Sequence, residues 1–547
     1  MIIFNKLRNR LMKCSTESID NQGIIDKTFK NLKVLITDNT YMLTLLVFVM
    51  LGYGLSFYFR GIHVDDLDAY RFFDENQAIA QGRLTPALLN LILNNYDYNI
   101  FHLFFSSVSL LTFGAILNAA FIKTLLKIDN NFILSLVSSL LVIFPIMYYI
   151  QIFLLATFTI AFCTILTFLS NLFILEFIKT KKIKFFIFTA ITLTLIMSAY
   201  EVYMFIYLIV VLFTLLFKDL NNSILKLSKQ ETKKYIVYVA LSFILAVLIE
   251  NILVLIIQTL TGTTPNEYLN NRIMWADGNP SHRLRLLIVN LFIRFFLVAT
   301  ASHANLFFVF TFTVFLFIKN NIKNFLIKIS IIVLLFILSF IFGVVQIHRM
   351  SLSLNYFMMY AVIYIYVHTA SKTIMKKALI SLTILGCFFS AQELNNAFEH
   401  RFLTYQYEAN AFMKIGNDIR STYGEDANIF IYGFISTPDN LARQPIEFRR
   451  ESVQGRVILR LDRLFSLNHF NHKEGVLVQY YQSTTYSHLL NHSNAHKIRF
   501  MNHHGFNFQS CNVDLDLESI FKEQNLSSFP IDGYITEVDG CVIIRLN

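Results

Sequence analysis

Along most of this chain, apolar stretches of about 20 residues recur with only short polar breaks, the length that crosses a roughly 30 Å hydrocarbon layer as a helix. The first is Thr40–Phe59. It is followed by Ile100–Ile122, Asn131–Tyr149, Gln151–Phe177, Phe185–Ala199, Val202–Phe217, Tyr235–Leu260, Asn305–Ile318, Phe325–Gln346, Leu354–His368 and Ala378–Phe389. A backbone in lipid must satisfy its own hydrogen bonds, so runs of this kind can only become helices or a closed barrel. Their length selects helices. The reading is a mainly α, polytopic membrane bundle of about eleven transmembrane helices. Leu284–Ala301, interrupted by Arg285 and Arg294, suits an interfacial or re-entrant helix better than a span.

Composition agrees, with 55% hydrophobic and 15% charged residues and a mean hydropathy of +0.53. The net charge of +10 would suggest nucleic acid in a soluble protein. Here it marks loops retained in the cytoplasm, and no nucleic-acid partner is expected. Residues 1–39 are lysine-rich and lack a cleavable signal, so they form a cytoplasmic N-terminal segment. Lysines then recur in alternate connections (Lys123 and Lys127; Lys179 to Lys184; Lys218 to Lys234; Lys319 to Lys328; Lys372 to Lys377), whereas loops 60–99, 149–152, 261–283 and 347–353 contain none. This alternation puts the C-terminus on the outer side of the membrane. The span region covers 40–393, with an external loop at 60–99. From 394 onward an amphipathic helix, Ala391–Tyr423, precedes strand-like runs Asn428–Tyr432, Val476–Tyr480, Tyr534–Val538 and Cys541–Leu546. The last two flank Asp539-Gly540, a hairpin signal. Residues 394–547 are therefore expected to be an α/β domain on the outer side.

Polar residues concentrate at the outer ends of the runs. Directly after the first comes Arg60-Gly-Ile-His63-Val-Asp65-Asp66-Leu-Asp68-Ala-Tyr70-Arg71, and later Gln81-Gly82-Arg83-Leu84. Adjacent carboxylates repel unless a cation, a metal or a catalytic task holds them. Asp65 and Asp66 fit an acid/base pair acting on an acceptor hydroxyl, or a solvated helix cap. Tyr200-Glu201 interrupts an apolar stretch at an outer turn, and His348-Arg349 follows the ninth run. Arg272, Arg283 and Arg285 read as interfacial anchors or as ligands for an anion. Glu250 lies inside a run, expected as a polar contact in the bundle below the outer site. Seven of the 14 histidines fall in Ser466–Gly505, where His488, His492 and His496 share a helical spacing that zinc can use. No Cys or acid lies near them, and no metal is assigned. Cys511 and Cys541 would both face an oxidising compartment, which permits a disulfide. The chain has no P-loop, no GxGxxG after a strand and no nucleophile elbow.

The outer Asp65-Asp66, the later Gly82-Arg83, the turn Ser198-Ala199-Tyr200-Glu201 and the ending Phe529-Pro-Ile-Asp-Gly533 … Gly540-Cys-Val-Ile-Ile-Arg-Leu546 together resemble the bacterial and phage-borne O-antigen glucosyltransferases of serotype conversion. The helix Asn395–Asn410 and the strand Ile429-Phe-Ile-Tyr-Gly433 belong to the same likeness. It implies an integral-membrane glycosyltransferase of the GT-C type. The donor would be a hexose, glucose, on undecaprenyl phosphate, and the acceptor a lipid-linked O-antigen or related periplasmic glycan. By this resemblance Asp65 or Asp66 is the general base of an inverting single displacement. Arg349, Arg71 and Arg83 are the donor-phosphate ligands, and Tyr200, Glu201 and His348 line the substrate site. Ala69 stands where the family often has Arg, and Glu201 where Gln is expected, so the phosphate ligand is spread over three candidates. No organic cofactor is implied; a divalent cation is the one inorganic candidate. The alternatives are another GT-C transferase or glycan polymerase with a different sugar, and a lipid-glycan flippase or transporter.

Overall fold

The computed structural model describes residues 23–58, 75–93, 100–147, 154–200, 202–264 (without 221 and 226), 303–318, 321–342, 352–369, 373–433, 446–449, 471–473, 476–479, 494–511 and 517–546, with isolated helical residues between 281 and 291. They fall into two compact units. The first draws on Met1–Gly54, Asp74–Asn395 and Ile458–Leu467, the second on Leu55–Phe73, Asn396–Val457 and Asn468–Asn547.

The first unit is helical, and two of its helices run on into the second unit, beyond Gly54 and beyond Asn395. Its described elements are α1 Ile24–Thr37, α2 Asn39–Tyr58, α3 Glu75–Ala80, α4 Leu84–Leu93, α5 Ile100–Leu125, α6 Asn131–Ile143, α7 Leu154–Thr180, α8 Ile183–Met197, α9 Val202–Phe217, α10 Lys229–Thr261, α11 His303–Phe317, α12 Ile322–Phe342, α13 Ser353–His368 and α14 Thr373–Tyr423. Every apolar run of the sequence falls on one of these helices. Among the described residues six are long and apolar enough to cross a membrane: Asn39–Phe57, Phe104–Leu125, Phe158–Thr180, Lys229–Thr261, Ile322–Ile341 and Thr373–Glu399. α6 is shorter than its run because Phe144 leaves helical geometry before Pro145, and a 3-10 turn, Pro145–Met147, follows. A proline pushes its predecessor out of the α region, which ends the helix there. The run Ala378–Phe389 and the amphipathic stretch after it, expected as two elements, form the single helix α14.

α13 is buried from Ser353 to Val367, as a helix apolar on all sides must be. It packs against α6, α9 and α11, while α7 packs against α5, α8 and α9. Several buried hydroxyls and amides bridge helices inside the bundle. The hydroxyl of Tyr53 donates to Val142 O (2.8 Å), that of Tyr203 to Ile160 O (2.7 Å) and that of Tyr360 to Asn118 Oδ1 (3.0 Å), while Asn355 Nδ2 donates to Leu141 O (3.1 Å). Such bonds tie helices together where water is absent.

The second unit is α/β. Its sheet runs β5-β1-β7-β6, from β1 Asn428–Tyr432, β5 Gln509–Ser510, β6 Ile535–Val538 and β7 Cys541–Arg545. β1 is parallel to both neighbours and β6–β7 is antiparallel. A second sheet runs β2-β4-β3, from β2 Ile446–Arg449, β3 Asn471–Lys473 and β4 Val476–Gln479. Helices α15 Asn494–His503 and α16 Leu517–Glu523 complete it. Ile429, Ile431, Val542 and Ile544 pack with Phe412, Ile415 and Ile419 of α14 and Phe500 and Met501 of α15. The hairpin forms at Asp539-Gly540, both at positive φ (50° and 75°), the two-residue turn that matches strand twist. Cys511 and Cys541 are joined by a disulfide.

Candidate functional site

The stretch expected as an outer loop, 60–99, contains α3 and α4, and these fold back on the bundle. α3 packs against α10, and α4 against α7 and α8. Local sequence explains the reversal. Gly82 sits at φ 74°, where its N–H donates to Ile79 O (3.0 Å) while Arg83 N–H donates to Ala78 O (2.8 Å). This pair of bonds is a Schellman closure of α3, and the left-handed residue it demands is most cheaply glycine. The Gly-Arg motif is thus a backbone instruction. Glycine ends one helix, and the next residue projects from the closed turn before α4 begins.

α4 is tied at its start to the neighbouring turn. Its Thr85 N–H, an orphan of the first turn, donates to Ser198 O (3.3 Å) in the turn between α8 and α9. Pro86 needs no such partner because it has no N–H. The buried Thr85 hydroxyl bonds Leu195 O (2.8 Å) and the Ser198 hydroxyl (2.8 Å). The Ser198-Ala199-Tyr200 turn and the Gly82-Arg83 turn, 115 to 118 positions apart in the chain, thereby become neighbours. The Arg83 guanidinium lies over the Tyr200 ring, 5.8 Å from its centroid, and Tyr200 is buried. A guanidinium on an aromatic face keeps its charge while shedding part of its hydration, which suits it to receive an anion.

The third wall is α10. Gln258 Nε2 donates to Ile79 O (2.9 Å), and a Cβ at Gly82 would lie 3.8 Å from Val254 Cγ2 and 3.9 Å from Glu250 Oε1. Positions 250, 254 and 258 recur every four residues, so one stripe of α10 meets the α3–α4 hairpin. The sequence reading set Glu250 well below the outer loop. The hairpin removes that separation by bringing Gly82 down beside it, eleven residues or about 16 Å along α10 from its Thr261 end at 1.5 Å per residue. Glu250 and Gln258, two turns apart in the apolar C-terminal half of α10, were the available signal for this contact; the sequence reading named Glu250 as a polar contact in the bundle but not Gln258.

Of the residues expected in the site, Arg83 and Tyr200 are brought together. Asp65, Asp66, Arg71, Glu201, His348 and Arg349 lie outside the described residues, as do His488 and His492. Arg285 is exposed on a helical residue of the 281–291 segment. No group of three His, Cys, Asp or Glu side chains able to hold a metal occurs among the described residues.

A family model described as glucosyl transferase GtrII matches residues 54–366, more than half of the 547 residues. The chain belongs to that family. No curated protein matches it. Membership makes the chain a glucosyltransferase, in the O-antigen serotype-converting family that the motifs of its sequence resembled. α3, α4 and the facing turns of α8, α9 and α10 all fall inside the matched segment, so the hairpin site belongs to the part of the chain that defines this glucosyltransferase.

Proposed function

We propose that this GtrII-family glucosyltransferase moves a hexose, glucose, from undecaprenyl phosphate to an O-antigen or related lipid-linked glycan at the periplasmic side of a bacterial inner membrane. The observation that carries the reading is the Arg83 guanidinium against buried Tyr200, in a turn whose Gly82 backbone lies beside Glu250 and within the family segment. A polyprenyl-phosphate donor leaves as a phosphate monoester, and its developing charge needs a fixed cation in a partly dehydrated place. A turn anchored to three helices offers that. Arg71 and Arg349 are the further candidates for the same anion.

The transfer is a single displacement. The acceptor oxygen attacks the anomeric carbon as the bond from that carbon to the phosphate oxygen breaks. Asp65 or Asp66 takes the hydroxyl proton, the electron pair of the broken bond leaves with the phosphate, and the anomeric configuration inverts. One carboxylate activates the incoming oxygen, as the base of an inverting glycosidase activates water. Tyr200, Glu201 and His348 line the sugar. The reaction needs no ATP outside the cytoplasm because the carrier arrives activated. A periplasmic setting for residues 394–547 is supported by the Cys511–Cys541 bond, since such links persist in oxidising compartments, and by the alternation of lysines along the chain.

The test compares surface polysaccharide from cells with and without the gene, and with Asp65→Asn or Asp66→Asn in its place. The expected result is a glucose branch present with the wild-type gene and lost in its absence. At least one Asn variant should lower transfer by about 10²-fold, the scale of a missing general base. An unchanged polysaccharide would overturn the reading; a branch of another sugar would redirect it to a different transferase.

A further inference from the structure

We propose that Thr85 and Gln258 are positioning residues that hold the α3–α4 hairpin in the bundle and so set the place of Arg83. Neither residue belongs to a motif of the sequence reading, and the proposal rests on the assignment of Arg83 to the donor phosphate. Each anchors a different end of the turn. Gln258 Nε2 donates to Ile79 O (2.9 Å), the same carbonyl that accepts from Gly82 N–H, so α10 grips the Schellman closure itself. Thr85 offers three bonds to the α8–α9 turn: its N–H to Ser198 O, its hydroxyl to Leu195 O, and its hydroxyl with that of Ser198. Arg83 lies between these anchors, and Tyr200, over whose ring it sits, is two residues from Ser198.

The hydroxyl is the informative part of Thr85. Valine keeps its shape and its N–H bond but loses both side-chain bonds, leaving the Ser198 hydroxyl and Leu195 carbonyl facing a methyl group in a buried place. Serine keeps both bonds and loses only the methyl. Gln258→Leu likewise keeps volume and loses the donor. If the anchors merely stabilised the fold, transfer would track protein yield. If they set the position of Arg83, the turnover number would fall while the folded protein remained, because a displaced charge stabiliser costs the transition state more than the ground state.

The experiment uses the full-length protein in lipid nanodiscs, with undecaprenyl-phosphate-glucose as donor and purified lipid-linked O-antigen as acceptor. It has two readouts: kcat and KM for the donor, and amide hydrogen exchange over residues 78–85. Thr85→Val and Gln258→Leu should each lower kcat at least tenfold with donor KM within about threefold, and should speed exchange over 78–85 but not over α7. Thr85→Ser should restore both readouts. Wild-type kcat and protection in Thr85→Val and Gln258→Leu would overturn the proposal, as would a Thr85→Ser variant as impaired as Thr85→Val. Arg83→Ala separates the two readings: full transfer by that variant defeats the assignment of Arg83, whereas the exchange readout still decides whether the hairpin is anchored as described.

Discussion

Arg83 owes its place to the residue before it. Gly82 supplies the left-handed backbone that closes α3, and a Cβ there would meet nothing nearer than 3.8 Å, so the cost of Gly82→Ala is conformational. That cost is about 1–2 kcal/mol. Gly82→Ala is expected to be made and inserted, with transfer reduced severalfold and exchange over 78–85 accelerated. Arg83→Ala should lower transfer by about 10²-fold or more, and Arg83→Lys should recover only part, since an ammonium lacks the planar fork that binds two phosphate oxygens. Transfer assays with both variants check this. In the second unit, buried Lys497 donates to Gly433 O (2.6 Å), and burial brings its ammonium down to a pKa of about 8. Its unfolded value is near 10.4, so between pH 8 and 10.4 the unfolded chain binds more protons, and this residue adds stability as pH rises. Thermal unfolding of the second unit at pH 7 and pH 9 should show that gain in wild type relative to Lys497→Met. An equal pH response in both would remove Lys497 as its cause. Legibility at this scale was uneven. Gly82-Arg83 and Tyr200 were visible as polar residues on the outer side, and Glu250 as a polar residue inside a run, but its hairpin neighbour was not, and Thr85 and Gln258 were silent. Their importance comes from which carbonyls they reach, and periodicity does not encode that.

At the scale of elements, helix placement followed directly from the length of the apolar runs, because each run had to satisfy its backbone internally. What the pattern left out were junctions. α14 runs through the change from apolar to polar composition because nothing in Ser390-Ala-Gln-Glu-Leu breaks a helix. The α3–α4 hairpin was read as loop because α3 has only six residues, too short to show a period. α1 is capped from outside. Its N-cap is Gly23, which has no side chain, and Glu176 of α7 accepts from Ile25 N–H (3.1 Å) instead. A carboxylate at a helix N-terminus contributes about 0.3–1 kcal/mol, up to about 2 when partly buried. Glu176→Ala should therefore loosen α1, read as faster exchange or proteolysis across residues 24–37 with α5 and α7 unaffected. Gly23→Ala should act similarly, because its Cβ would come within 2.5 Å of Glu176 Oε1. The Asp539-Gly540 hairpin formed where the dipeptide indicated. The Cys511–Cys541 bond closes a sequence separation of 30 and should be worth about 3–4 kcal/mol. Denaturant unfolding of Cys511→Ser/Cys541→Ser is expected to show that loss, and an unchanged midpoint would contradict it.

For the whole molecule, composition and run length were sufficient for a helical membrane protein with an α/β unit at its end, and the family match agrees with the class of chemistry. Six helices meet the length and hydropathy of a span among the described residues; the shorter helices α6, α8, α9 and α11 bring the total toward the number of apolar runs only if the bilayer admits them. Sidedness rests on lysines in alternate connections. A periplasmic reporter joined after residue 547 should be active and a cytoplasmic one silent; the reverse would invert every loop. The proposed chemistry has the acidic pair, the arginines and the lipid donor act together. The most direct measurement is glucose transfer by purified protein in proteoliposomes, from labelled undecaprenyl-phosphate-glucose to lipid-linked O-antigen. Transfer is predicted with wild type and is expected to be almost abolished in Asp65→Asn/Asp66→Asn and in Arg83→Ala. Wild-type rates in both variants, or no transfer from the polyprenyl donor by the wild-type protein, would contradict it.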